Sequence, residues 1–202
     1  MKVTELFETI MSKEEINQFF RIYGKIEYHD DGSISVYGNV TLTDKSITHL
    51  PVRFRKVSGY FHCDYTNLTS LEGSPQEVGD TFWCNDTKIT NLEGAPEIIG
   101  DYFYCENTPF YKHLLVDENT QISAVRYLPR QFIQLLNDAD IKITQSVQIV
   151  AVDTDPEVIA YIDNPTRMAQ LTAVKKNPKV IEYIKNPDPL VLQYLAKFFS
   201  IV

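Results

Sequence analysis

The stretch GDTFWCNDTKITNLEGAP, residues 79–96, decides the fold, because it repeats the stretch SGYFHCDYTNLTSLEGSP of residues 58–75 after 21 residues. The pattern begins a third time as GDYFYC at residues 100–105, and the dipeptide PF at residues 109–110 then breaks it. A degenerate earlier copy reads GNVTL at residues 38–42. A fixed period of this length is typical of solenoids, in which successive coils of one chain stack on each other.

Alternation within one coil predicts which side chains face the core. In YFHCD, residues 60–64, Phe61 and Cys63 share one face of a short strand, and the positions between them share the other face. Leu68 then turns back inward, and Gly73 allows a turn with positive φ. One coil is too small to bury its own apolar face, so the strands of successive coils should form a parallel stack. We expect these strands near residues 60–64, 81–85 and 102–106.

The coils resemble leucine-rich repeats, whose periods run from about 20 to 29 residues. Their strands carry an aromatic residue and a cysteine in place of the familiar Leu-x-Leu, whereas NLTSLEGSP at residues 67–75 matches better. Residues 30–108 more closely resemble the GDFxC…NxLTSLEGAP arrays found in uncharacterised proteins of tailed bacteriophages and bacteria. This resemblance implies a parallel β-solenoid but no particular activity, because members of the group are named for their repeats alone.

A second repeat, with a period of 22 residues and a helical pattern, begins near residue 145. VQIVAV at residues 147–152 precedes DPEVIAYIDNP at residues 155–165, and the order returns as AQLTAV at residues 169–174 and NPKVIEYIKNP at residues 177–187. Proline is favoured at the first position of a helix, so each unit should hold two short helices. The candidate N-caps are the polar residues directly before each proline: Asp155, Asn164, Asn177 and Asn186.

The sequence before the first coil predicts a helical cap. SKEE at residues 12–15 has the form of a capping box, with Ile16, Phe19 and Phe20 on one helix face and Gly24 as the stop. Such a helix would protect the edge strand of the solenoid from pairing with other chains.

The expected fold is therefore an α+β repeat solenoid in four parts. The helical units of the last part resemble Asn-Pro repeats of phage and bacterial proteins, and a terminal unit through Leu195 and Val202 should cap them. The four parts are an N-terminal helical cap (1–29), a leucine-rich-repeat-like parallel β-solenoid (30–108), a connector with a predicted helix at residues 129–136 (109–143) and an α-helical repeat domain (144–202).

Composition excludes several classes of protein. A chain of 202 residues with 44% hydrophobic and 23% charged residues is typical of a folded protein rather than a disordered one. The net charge of −8 disfavours nucleic acid as a partner, because binding it requires a basic surface. No apolar run approaches the roughly 18 residues of a membrane helix, and no apolar signal stretch follows Met1, so we expect a cytoplasmic protein without a membrane partner.

Cysteines and histidines give no sign of chemistry. Cys63, Cys84 and Cys105 recur at the coil period, and we interpret them as core residues, since buried cysteine usually acts as a small hydrophobic residue. Their odd number and the absence of a Cys-x-x-Cys pair predict neither a disulfide nor a bound metal. The four histidines stand in no catalytic, phosphate-binding or metal motif, so we expect no enzyme activity and no cofactor.

The outward face of the predicted strands is the candidate binding surface. The period places Tyr60, Thr81 and Tyr102 in one ladder, with two further ladders beside it. Tyrosine and tryptophan are enriched at interface hot spots, although cross-strand aromatic pairs also stabilise sheets on their own, so packing is the alternative interpretation. The candidate protein-binding residues are Tyr60, His62, Asp64, Trp83, Asn85, Tyr102, Tyr104 and Glu106.

These observations predict a non-enzymatic protein that binds another protein. The middle of the chain, residues 51–120, carries eleven acidic and five basic side chains, so an aromatic patch with an acidic rim would suit a partner with a basic groove. Given the resemblance to phage arrays, our hypothesis is a phage-encoded accessory protein that binds and inhibits a host protein, such as a defence complex, in the host cytoplasm. Two alternatives stay open, namely an acidic mimic of DNA in a nucleic-acid-binding groove and an enzyme with its site in the connector. The sequence does not predict an oligomeric state.

Overall fold

The computed structural model describes residues 11–199, which form two compact units that divide between His113 and Leu114. The first ten residues of the predicted cap and the predicted terminal residue Val202 lie outside the described part. In the first unit, helix α1 precedes eight strands, and helix α2 begins near its end. These elements are α1 (Lys13–Phe19), β1 (Phe20–Tyr28), β2 (Ile34–Leu42), β3 (Phe54–Val57), β4 (Phe61–His62), β5 (Glu77–Val78), β6 (Phe82–Trp83), β7 (Ile98–Ile99), β8 (Phe103–Tyr104) and α2 (Pro109–Val116).

Two parallel ladders grow from the long strand β2. Its first half pairs with β3, which continues to β5 and β7, and its second half pairs with β4, which continues to β6 and β8. Each later coil thus contributes two short strands, separated by a turn. The register Phe61↔Phe82↔Phe103 in the second ladder follows the 21-residue period and confirms the predicted parallel stack.

Apolar side chains form continuous columns inside the coils. The rings of Phe61, Phe82 and Phe103 stack on one another, with centroids 5.4 and 5.5 Å apart and nearly parallel planes, 6° and 5°. Phe54 packs edge-on against Phe61, and Phe20 packs edge-on against Phe54, each with centroids 5.2 Å apart. The aromatic column therefore runs from β1 to the last coil, and all five rings are buried.

A threonine fixes the bend after each strand of the second ladder. Thr66 and Thr87 are buried, and their hydroxyls donate hydrogen bonds to the carbonyl groups of Cys63 and Cys84. Thr108 does the same to Cys105 in the last coil. The residue before each threonine has a positive φ of 53–59°: Tyr65, Asp86 and Asn107. The bend is thus built by side-chain hydrogen bonds rather than by glycine.

The predicted helical cap is correct at its start and wrong at its end. Ser12 and Glu15 form the capping box that opens α1, but the helix ends at Phe19 instead of Gly24. Residues 20–28 form strand β1, which pairs antiparallel with β2. The apolar residues at positions 20, 22 and 26 fit one face of this strand, and pairing with β2 outweighs the helical spacing of the residues before them.

Gly94 illustrates how closely the coils stack. It has a φ of +79°, and a Cβ at this position would lie 2.4 Å from the backbone nitrogen of Glu72 in the previous coil. Gly94→Ala should therefore lower the free energy of unfolding by roughly 1–3 kcal/mol, measured by urea denaturation. The neighbouring exposed substitution Glu93→Ala is the control and should change the free energy by less than about 0.5 kcal/mol. Equal stability of the two variants would contradict this close packing.

The second unit is helical throughout its described part. After α2 come α3 (Glu118–Tyr127), α4 (Pro129–Asp138), α5 (Gln145–Thr154), a first 3₁₀ helix (Pro156–Tyr161), α6 (Arg167–Lys176), a second 3₁₀ helix (Pro178–Tyr183) and α7 (Pro189–Phe199). The connecting helix predicted at residues 129–136 is confirmed as α4, and residues 145–199 contain no strand, as the 22-residue pattern predicts.

Each repeat unit pairs one α-helix with one 3₁₀ helix. Asp155 and Asn177 cap the 3₁₀ helices as predicted, accepting hydrogen bonds from the backbone nitrogens of Glu157 and Lys179. Asn164, however, is not the cap of α6, because Thr166 is at that position and accepts from the nitrogen of Ala169. Asn186 is likewise not a cap, because the side chain of Asp188 accepts a hydrogen bond from the backbone nitrogen of Leu190 at the start of α7. The proline before Thr166 therefore lies outside the helix rather than at its first position.

Candidate protein-binding surface

Five aromatic or imidazole rings form one continuous group on the outer face of the second ladder. Strands β4, β6 and β8 place His62, Trp83 and Tyr104 in direct register, one coil apart. The Trp83 ring lies 5.7 Å from His62 and 6.2 Å from Tyr104, centroid to centroid. Tyr60 packs edge-on against Trp83 at 5.6 Å, and Tyr102 stacks on Tyr104 at 5.6 Å. We call these five residues the aromatic strip.

The aromatic strip is partly exposed, in contrast to the phenylalanine column behind it. Tyr102 is the most exposed tyrosine of the strip, at 38%, while Tyr60, Trp83 and Tyr104 are half-buried. The rings bury part of their area against one another and still present a surface. Cross-strand packing and a binding face are thus both compatible with this geometry.

Thr81 does not share the outward position that the period assigns to it. It is only 3% exposed, and its hydroxyl lies 3.3 Å from carboxylate oxygens of both Asp80 and Asp101. The residue directly follows the turn between the two strands of its coil, where strict strand alternation does not hold. Tyr60 and Tyr102 therefore belong to the surface, whereas Thr81 fastens two successive turns together.

The third predicted ladder, Asp64, Asn85 and Glu106, mainly connects the coils. The Asp64 Oδ1 accepts a hydrogen bond from the backbone nitrogen of Asn85 at 2.6 Å, and the Asn85 Oδ1 accepts one from the nitrogen of Glu106 at 2.7 Å. Asp64 also lies 3.2 Å from the Nε2 of His62 and is largely buried. Glu106, in the last coil, is exposed. The structure thus gathers all eight predicted residues on one face, but Asp64 and Asn85 hold the next coil in place.

The three cysteines lie directly behind the aromatic strip. All three are buried, and the thiols of Cys63 and Cys84 donate hydrogen bonds to the carbonyl groups of Trp83 and Tyr104, at 3.0 and 3.3 Å. Burial raises the pKa of each thiol above its usual value. This environment confirms them as core residues and makes them poor nucleophiles, because the thiolate is the reactive form.

The thiols should therefore react only after unfolding. We expect no labelling of native protein by a thiol reagent over a time in which the urea-unfolded chain is labelled completely, counted by mass spectrometry. Cys84→Ser should lower the free energy of unfolding by about 2 kcal/mol, because it places a more polar hydroxyl in the apolar column. Rapid labelling of all three cysteines in the native protein would contradict their burial.

One histidine contact and one cavity bear on the alternative of an enzyme site. His29 pairs with the hydroxyl of Ser35 at 2.8 Å, and no group of three histidine, cysteine or acidic side chains among residues 11–199 could hold a metal ion. A cavity of about 330 Å³ near the end of α4 is lined by Asp140, Lys142 and Asp163 among other residues, without histidine, cysteine or serine. It therefore offers no paired nucleophile and base.

Sequence reasoning missed three exposed tyrosines on the β1–β2 hairpin. Tyr23, Tyr28 and Tyr37 are 53%, 42% and 52% exposed. Alternation in FRIYGKIEY, residues 20–28, is the signal that could have identified this hairpin, had the stretch been assigned to a strand.

Comparison with protein-family models, with curated proteins and with solved structures found no match to this chain. Within the described residues, no helix is long and apolar enough to cross a membrane.

Proposed function

We propose that this protein binds another protein through the aromatic strip, with no chemical step of its own. The observation that carries the proposal is the unbroken contact of partly exposed rings from Tyr60 through Trp83 to Tyr102, on a rigid stack of coils. Large aromatic side chains bind at little cost in conformational entropy, because they have few rotatable bonds and these rings already hold each other.

The charge around the strip determines the kind of partner. Within the first unit, residues 51–113 carry nine acidic side chains against five basic ones, and Glu106 lies exposed at the end of the strip. Opposite charges at the rim of an interface speed association and exclude partners of like charge. The preferred partner is therefore a protein with a basic surface around an apolar or arginine-rich centre.

The biological setting of the proposal rests on the resemblance of the coils to arrays of tailed bacteriophages. In that setting the protein is a phage-encoded accessory protein, and its partner is a host protein that it inhibits, such as a component of a defence complex. Occupying a basic surface is sufficient for inhibition when that surface is needed for another ligand.

Capture from host lysate, repeated with the chain altered in its strip, tests the proposal. The wild-type chain should retain a protein that the Trp83→Ala/Tyr104→Ala variant fails to retain, identified by mass spectrometry. Equal retention of every host protein by the two chains would contradict the strip as the binding surface.

A salt series separates this proposal from the DNA-mimic alternative. Binding that depends on aromatic contacts should weaken only slightly between 50 and 300 mM salt, because apolar burial is not screened. Charge mimicry of a nucleic acid should instead lose affinity by orders of magnitude over that range. The second result would favour the acidic surface rather than the rings.

A further inference from the structure

The outer edge of β1 is an open sheet edge within the described residues. β1 pairs with β2, and no other strand of residues 11–199 pairs with it. An edge of nine residues is long for a soluble protein, and such edges pair readily with other strands unless something covers or interrupts them. Helix α1 packs beside the start of this strand, where Ile16 is buried and accepts a hydrogen bond from the Phe20 nitrogen, but Gly24, Lys25 and Glu27 in the rest of β1 stay exposed.

The hydrogen-bond pattern shows which backbone groups point outward. At one end of the hairpin the nitrogen of Thr43 donates to the carbonyl of Phe19 at 2.7 Å, and at the other end the nitrogen of His29 donates to Ser33 at 2.9 Å. Hydrogen-bonded pairs alternate along an antiparallel ladder, so odd-numbered residues of β1 bond to β2 and even-numbered residues point away. The backbone groups of Ile22, Gly24, Ile26 and Tyr28 therefore point outward. The backbone nitrogen of Phe20 is already engaged, because it donates a hydrogen bond to the carbonyl of Ile16 in α1.

The close contact at the middle of the hairpin agrees with this assignment. A Cβ on Gly24 would lie 3.0 Å from the Cα of Gly38, its partner in β2. The Cα atoms approach most closely in non-hydrogen-bonded pairs, so the nitrogen and carbonyl of Gly24 face the open edge.

The sequence of β1 is complementary to itself when it is read in reverse about Gly24. Pairing FRIYGKIEY with a second copy in antiparallel orientation places Arg21 opposite Glu27 and Tyr23 opposite Lys25. On the other face it places Ile22 opposite Ile26. These are an opposite-charge pair, a cation–aromatic pair and an apolar pair, each favourable across strands. The register also pairs even-numbered residues with even-numbered residues, as the outward hydrogen-bonding groups require.

The two faces of β1 are suited to this pairing. Ile22 and Ile26 lie opposite the buried residues Val40 and Val36 of β2 but are themselves only half-buried, so the apolar layer ends incompletely at β1. On the other face Glu27 accepts a hydrogen bond from the hydroxyl of Tyr37 in β2 at 2.7 Å, so its carboxylate has a fixed position on the face that it shares with Arg21.

We propose that two copies of this chain associate through antiparallel pairing of their β1 strands, with Gly24 of one copy opposite Gly24 of the other. The interface is isologous, because every pair except Gly24–Gly24, which lies on the two-fold axis, occurs twice. Pairing extends the sheet across both copies and covers the end of each solenoid. It is independent of the aromatic strip, and it adds an oligomeric state to the proposed binding function.

Sedimentation velocity of the full chain over a range of concentrations, together with charge-reversal variants, tests the proposal. The wild type should form a dimer, and Arg21→Glu or Glu27→Arg should weaken self-association roughly tenfold, because two pairs become repulsive. The double variant Arg21→Glu/Glu27→Arg should restore dimer formation, since the exchanged charges again face each other. A wild type that stays monomeric at every concentration would overturn the proposal.

Disulfide trapping tests the register. Tyr23→Cys/Lys25→Cys places the new thiols opposite each other in a non-hydrogen-bonded pair, where the Cα separation suits a disulfide, and mild oxidation should give a covalent dimer. The buried native cysteines should not interfere. Tyr23→Cys/Glu27→Cys, which would join only in a register shifted by two residues, is the matched control and should remain unlinked. Dimers that are insensitive to the charge reversals and do not cross-link would place the interface elsewhere and overturn the proposal.

Discussion

Phe82→Ala should lower the free energy of unfolding by about 3–5 kcal/mol in urea denaturation. Phe82 is fully buried and lies between two parallel rings, with Phe61 5.4 Å away on one side and Phe103 5.5 Å away on the other. Its removal leaves a cavity in the middle of the column that neither neighbour can fill, because each ring is held in register by its own coil.

The control for this prediction lies in the same sheet. Ile98→Ala removes a 59% exposed side chain from β7 and should cost less than about 1 kcal/mol. A similar small cost for Phe82→Ala would contradict the continuous phenylalanine column.

Trp83→Ala/Tyr104→Ala should weaken binding of the captured partner by about 2–4 kcal/mol, a loss of roughly 30-fold to 1000-fold in affinity by titration calorimetry. Trp83 lies in the middle coil of the aromatic strip and Tyr104 stacks on it, and hot-spot residues near the centre of an interface carry most of its binding energy. The fold should persist, because the phenylalanine and cysteine columns behind the strip are unchanged.

A matched pair of exposed tyrosines controls for the loss of two aromatic rings. Tyr65→Ala/Tyr183→Ala removes side chains that are 62% and 51% exposed and lie outside the strip, and it should bind as the wild type does. If the Trp83→Ala/Tyr104→Ala variant binds normally but unfolds at a lower temperature, the strip is structural packing and the proposed function is wrong.

The period of 21 residues predicts the second ladder well, because one side chain per coil must return to the same place when coils stack. The first ladder was not predicted, since β5 and β7 each contain a single buried residue, whereas the stretch at β4 shows two alternating apolar residues, Phe61 and Cys63. Val57, Val78 and Ile99 nevertheless recur at the same period and form a buried column there.

The error at the N-terminus has a physical cause. Ile16, Phe19 and Phe20 fit the spacing of a helix, and the capping box at Ser12 is present, but one residue, Phe20, belongs to the strand. Its ring is fixed by Phe54, a contact with a residue 34 positions away that local sequence cannot reveal. Tertiary packing therefore decides where the helix ends.

The candidate site was predictable in position but not in the role of each residue. The period identifies the face that holds Trp83 and Tyr104, because that depends only on register. The period cannot show whether an acidic side chain faces a partner or forms a structural hydrogen bond. Asp64 accepts a hydrogen bond from the backbone nitrogen of Asn85 in the next coil. Side chains of this kind are identified only when the backbone around them is known.

Site-specific photocross-linking to the captured partner tests the central claim, that the aromatic strip is the binding surface, most directly. A photoreactive amino acid in place of His62 lies within the strip and leaves its four other rings unchanged. One in place of the exposed Lys179 lies on the helical repeats. The account predicts that the partner cross-links from position 62 and not from position 179. Cross-links from position 179 alone would contradict it and assign the binding surface to the helical repeats.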